Sequence, residues 1–274
     1  MTAALPPSRL WMDLTTVEAA ALPPETVALL PVTAVEQHGP HLPVGTDAYI
    51  NRGIVTRMLE MLPRDVPLLV LPEQTVGTSE EHRDFAGSLS HRPARLMEIW
   101  TDVLSCITNS PVRRLIIFNS HGGQTGLLAP ATLELRVRHG LFAAYASWFD
   151  AGYPDGLFTD EEIHYGLHGG TIETSLMLAI RPDLVRMGKI ADFPSRAIEL
   201  DTTTRHLSAN PGYGRLGGFG WKAQDLQATG VTGNAAAATA EAGQKLLDHL
   251  AAALAALVTD MTAASLMMGD GRPL

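Results

Sequence analysis

Short uninterrupted apolar runs alternate with amphipathic stretches along most of the chain. The first run is Val27-Ala28-Leu29-Leu30-Pro31-Val32. Runs of this length bounded by turn residues read as buried strands. Val66–Leu71, Arg114–Asn119 and Leu141–Ala146 repeat the pattern. Between them, Ala48 to Leu62 places Ile50, Ile54, Val55, Met58 and Leu59 on one helical face, and Arg95–Ile107 and Leu127–His139 also read as helices. This alternation specifies an α/β fold, one domain over residues 1–274, with a mostly parallel sheet flanked by helices on both faces. The Ala-rich stretch Ala235–Met261, broken by Glu241, Lys245, Asp248 and His249, reads as an amphipathic helix. Ala191–Ala228, carrying Gly212, Gly214, Gly217, Gly218 and Gly220, reads as a long loop that closes over a site or packs on a neighbouring subunit.

The richest polar segments follow strand ends, where open α/β sheets bind their ligands. After the first strand comes Glu36-Gln37-His38-Gly39-Pro40-His41-Leu42-Pro43-Val44-Gly45-Thr46-Asp47, a loop by its glycines and prolines. If the chain is extended there, Glu36 and His38 face the same way. Asp47 can return to that face or cap the helix that follows. After the third strand comes Asn119-Ser120-His121-Gly122-Gly123, and later His168-Gly169-Gly170-Thr171-Ile172-Glu173-Thr174-Ser175, with Glu173 near a helix start. Imidazole and carboxylate together are the ordinary ligands of divalent metals. Taken singly, each of these residues is more often a loop contact, a cap or a solvated charge, and the spacing matches no zinc-finger or HExxH pattern.

Composition narrows the classes. Apolar residues make up 46% and charged residues 18% of 274, enough for a sizeable core. The net charge is −9 and no basic cluster exceeds Arg113-Arg114, which argues against a nucleic-acid partner. No signal-peptide pattern opens the chain and no purely apolar run has the length of a membrane span, so a membrane partner is not expected and a cytoplasmic setting is. The single cysteine, Cys106, excludes an internal disulfide; placed near the apolar face of its helix, it reads as a buried thiol.

The combined motifs resemble the creatininase family, the creatinine amidohydrolases and their relatives. The matching stretches are Leu30-Pro31-Val32 with Glu36–Pro43 and Asp47; Gly77-Thr78-Ser79-Glu80-Glu81-His82 with Phe85 and Gly87-Ser88; Asn119 with His121-Gly122-Gly123; Glu173-Thr174-Ser175; and Gly230-Val231-Thr232-Gly233. The resemblance implies two divalent metal ions (zinc, manganese or iron) at the carboxyl edge of the sheet. Glu36 and His121 would hold one, His38 the other, and Asp47 would bridge. His168 matches the family histidine that handles protons. A small-molecule amide would be the substrate, hydrolysed at a C–N bond by metal-activated water. The alternatives are an N-formyl amide or small-peptide hydrolase of the same family, or a metal-free, non-catalytic relative. Many members form hexamers, which implies a homo-oligomer. Creatininases proper carry a Glu ligand where this chain has Gly123, so Glu173 becomes the substitute ligand. The family's pocket Trp is replaced by His164, and both departures point away from creatinine. Ser79, His82, His164 and Trp221 are the candidate substrate contacts.

Overall fold

The first strand is apolar along its whole length, so both of its faces must be covered. In the computed structural model, which describes residues 6–210 and 215–264, they are. β1 (Val27–Val32) lies between β2 (Leu68–Val70) and β3 (Arg114–Asn119), and β4 (Phe142–Ser147) pairs with β3. All pairings are parallel and the order is β2-β1-β3-β4. Side chains alternate across this sheet. Val27, Leu29, Leu68, Val70, Ile116 and Phe118 enter one core with α1 (Thr46–Met61), α5 (Thr171–Ile180) and α7 (Ala240–Ala263). Ala28, Leu30, Leu69, Leu115 and Ile117 enter the other, against α2 (Pro93–Ser105) and α3 (Thr125–His139). The remaining labelled helices are α4 (Asp160–Tyr165) and α6 (Arg196–Thr203).

Strand order reverses between β1 and β3, because β2 lies on one side of β1 and β3 on the other. That crevice is the switch point at which doubly wound sheets place ligands. The Glu36–Asp47 loop leaves the end of β1 and the His121 turn leaves the end of β3, so both polar clusters converge there.

Several boundaries and one burial differ from the sequence expectations. β2 is shorter and β4 begins one residue later. α1 begins at Thr46, which takes Asp47 into its first turn, and its N-cap Gly45 offers no side chain. Cys106 is exposed, not buried: α2 ends at Ser105, and the thiol donates to the Asp102 carbonyl at 3.4 Å. Leu96, Trp100 and Leu104 form the buried stripe of α2, and Cys106 lies roughly 200° around the helix from Leu104. α7 is long and apolar enough to cross a membrane by length and composition. Here Leu246, Leu250, Leu254 and Val258 recur along one face and pack in the core with α1 and α5. The 191–228 region is less irregular than expected, since it contains α6 and the short helix Ala223–Leu226. Of its glycines, Gly212 and Gly214 lie outside the described residues.

Candidate metal centre

Gly39 sets the first loop. Its φ is +68°, and a Cβ there would stand 2.1 Å from Val231 Cγ2. Only glycine turns the chain this way under the Gly230–Gly233 segment. That segment also anchors His168, whose backbone exchanges hydrogen bonds with Thr232. Gln37 Oε1 accepts from the Gly39 N–H at 2.8 Å. Its amide nitrogen therefore faces His82 Nδ1, at 2.9 Å, and the Gly230 carbonyl.

Glu36, His38, Asp47, His82, His121 and His168 are all buried, and Glu173 is half-buried. Glu36 Oε1 lies 3.2 Å from His121 Nδ1, 3.5 Å from His82 Nε2 and 3.6 Å from His168 Nδ1. Asp47 divides its oxygens: Oδ1 is 3.4 Å from His38 Nε2 and Oδ2 is 3.5 Å from His121 Nδ1. Glu173 Oε2 is 3.8 Å from His38 Nε2 and accepts from the Gly169 N–H at 2.6 Å, so it closes the start of α5 and faces the centre at once. The rings of His38 and His82 flank His168, with centroids 4.1 and 4.2 Å away.

Hydrogen bonds to fixed acceptors assign the ring protons. His38 Nδ1–H donates to the Glu36 carbonyl at 3.1 Å, which leaves the Nε2 lone pair aimed at Asp47 and Glu173. His168 Nε2–H donates to the Gln37 carbonyl at 2.5 Å, leaving Nδ1 toward Glu36 and the cavity. His82 accepts from Gln37 at Nδ1, so its Nε2–H points at Glu36.

The charges press on one another. Burial opposes charge on Glu36, yet the His121, His82 and His168 rings hold its carboxyl well below the ordinary range. Burial and the neighbouring Glu36 push Asp47 up to about 7. His38 rises to about 9, since Asp47, Glu173 and Glu36 outweigh its burial. His121 also rises, through Glu36 and despite burial. Burial drives His82 down to about 2 and, together with His38, lowers His168.

These donors fit a cation better than they fit each other. Glu36 Oε1 and Oε2, His38 Nε2 and Asp47 Oδ2 are buried without a hydrogen-bond partner. Buried polar atoms left so are costly. Two donors bound at about 2.0–2.2 Å to one tetrahedral ion stand roughly 3.3–3.6 Å apart. The separations of 3.2 to 3.8 Å from His121 to Glu36 and Asp47, and from His38 to Asp47 and Glu173, bracket that spacing. Each is at or beyond the long end of an ordinary hydrogen bond.

The centre forms the floor of a cavity of about 740 Å³. Glu36, Asp47, His82, His121, His168 and Glu173 line its polar side. Trp148, Phe149, Tyr153, Leu167, Phe219 and Trp221 form most of its apolar wall. Trp221 is fixed by its Nε1–H donating to the Ala209 carbonyl at 3.1 Å. The other two expected substrate contacts are placed elsewhere. Ser79 is buried at the start of the turn Glu80–His82, off the cavity wall. His164 turns to Asp201, 3.5 Å away, and meets the Tyr165 ring edge-on, while Ile163, Gly166 and Leu167 of the same segment face the cavity. Glu81, overlooked in the sequence, lines the cavity beside His121.

A doubly wound α/β domain with carboxylates and imidazoles gathered at its switch point has the donor set of a divalent-metal site. The chain belongs to the creatininase family: the family model described as creatinine amidohydrolase matches residues 12–258. A mycofactocin precursor peptide peptidase from Mycolicibacterium smegmatis is 33% identical over 159 residues, 57% of this chain and 59% of that protein. The match thus spans under two thirds of that relative's length. A creatinine amidohydrolase from Pseudomonas putida is 28% identical over 198 residues, 65% of this chain and 73% of that protein. A manganese creatininase structure superposes with TM-score 0.72 at 25% identity, covering 94% of this chain and all of the other. A creatininase variant of Zn–Zn type gives 0.73, with the same identity and coverage.

Proposed function

We propose that this protein is a dinuclear-metal amidohydrolase acting on a C–N bond of an amide larger than creatinine, a short peptide or an N-acyl compound. The observation that carries the reading is that the two oxygens of Asp47 face different imidazoles, Oδ2 toward His121, which stands beside Glu36, and Oδ1 toward His38, which stands beside Glu173. Divalent ions held there would polarise the amide oxygen and lower the pKa of water enough to make it the nucleophile at neutral pH. The chain's own residues do the rest. Glu36 stays ionised because three imidazoles face it. Gly169 N–H holds Glu173 in place. His168 has Nε2 committed to the Gln37 carbonyl, so Nδ1 is the nitrogen that takes a proton from the attacking water and hands it to the departing amine. The aromatic wall sheds water around the scissile bond and leaves room for a substituent of drug-like size.

A panel of creatinine, formamidopyrimidines, cyclic imides, N-formyl amino acids and dipeptides, run on metal-reconstituted protein, tests this. Turnover of a peptide or N-acyl amide above creatinine, abolished by chelation and restored by metal, is expected. Full activity after exhaustive chelation refutes the metal reading; preference for creatinine refutes the substrate reading.

A further inference from the structure

Glu81 enters the centre through a space that position 123 leaves open. Its Oε1 lies 3.3 Å from His121 Nε2 and 3.9 Å from His82 Nε2. A Cβ on Gly123 would stand 2.0 Å from Glu81 Oε1 and 2.5 Å from His121 Nε2. Any side chain at 123 would therefore displace this carboxylate. The adjacent Glu80 behaves differently: it faces outward, to Arg83 at 3.1 Å and the Ser90 hydroxyl at 2.9 Å.

The two nitrogens of His121 meet different partners. Nε2 is 2.8 Å from the Thr78 carbonyl, which can only accept, so Nε2 carries the proton. Nδ1 faces Glu36 and Asp47. Glu81 thus meets the ring at Nε2, opposite Nδ1, with an oxygen also within 4.8 Å of a Glu36 oxygen. A carboxylate in that position fixes the tautomer and orientation of a ligating imidazole and raises its basicity.

We propose that Glu81 is a positioning residue of the centre, holding His121 so that Nδ1 is presented beside Glu36 and Asp47, and that Gly123 is the gap that admits it. The proposal rests on His121 being a ligand. The test is Co²⁺ titration of metal-stripped wild type, Glu81→Gln, Glu81→Ala and Gly123→Ala against a chromophoric chelator, with visible spectra recorded. Wild type should bind two ions. Each variant should bind one of them about 10–100-fold more weakly, with its visible band shifted, and keep the other. Melting of the stripped proteins identifies a variant that has misfolded, in which case the remaining variants carry the test. Wild-type affinity and spectra in both Glu81 variants overturn the proposal and leave the proposed function standing. Wild type that binds no Co²⁺ overturns both.

Discussion

Asp47→Asn alters the side chain whose two oxygens face His38 and His121 separately, while preserving its shape. Its effect follows from linkage. An ion that binds only the folded chain adds about 2.7 kcal/mol at a free concentration 100 times its Kd. Two such ions add roughly 5.4 kcal/mol, which for a chain of this size raises Tm by about 10–20 °C. In the stripped protein the same substitution should cost little. Burial and Glu36 already push the Asp47 carboxyl up to about 7, so its charge is poorly accommodated without a cation. The expected pattern is therefore specific. Stripped Asp47→Asn should melt within a few degrees of stripped wild type, yet nearly all of the metal-induced rise should vanish. Glu173→Gln, which alters only the His38 group, should retain about half of it. Differential scanning calorimetry at fixed free Zn²⁺ or Mn²⁺ measures all three. An Asp47→Asn protein that keeps the full rise refutes the reasoning, and one that keeps half shows that Asp47 serves a single ion.

Three further outcomes are expected. His168→Gln should lower kcat about 10²–10⁴-fold with metal content unchanged in elemental analysis; loss of an ion would instead make His168 a ligand. Stripped protein should lose stability as pH rises from 7 to 9. Raised His38 (about 9) and raised His121 keep protons there that the unfolded chain has released, while the lowered His82 and His168 contribute no slope above about 6.5. Urea denaturation across that range checks this, and a flat or rising profile contradicts it. Gly39→Ala should cost about 1–3 kcal/mol from its backbone alone, and more from the clash with Val231, in denaturant melts. Adding Val231→Ala should recover the clash portion, and no recovery would locate the strain elsewhere.

The sheet was legible because β1 is apolar throughout and β3 from Leu115 to Phe118, a pattern that two-sided burial explains. The ligand motifs were legible as clusters because they follow those strands. What pattern could not supply was direction. Cys106 sits two residues past Leu104, which rotates it off the buried stripe although Leu104 and Ile107 close by are apolar and buried. His164 lies near the end of α4, while its neighbour Ile163 and, past the helix end, Gly166 and Leu167 take the cavity face. Glu80 and Glu81 are adjacent and chemically identical, and only the space at Gly123, distant in sequence, separates an outward carboxylate from an inward one. The one sequence signal for Glu81 was the pairing of an acidic residue before His82 with a bare glycine after His121.

Anomalous diffraction from crystals of the Mn²⁺- or Zn²⁺-loaded protein decides whether two ions share Asp47. Two peaks about 3.5–4 Å apart, one on each side of the Asp47 carboxylate, are predicted. A single peak, or peaks away from Asp47, would contradict that sharing.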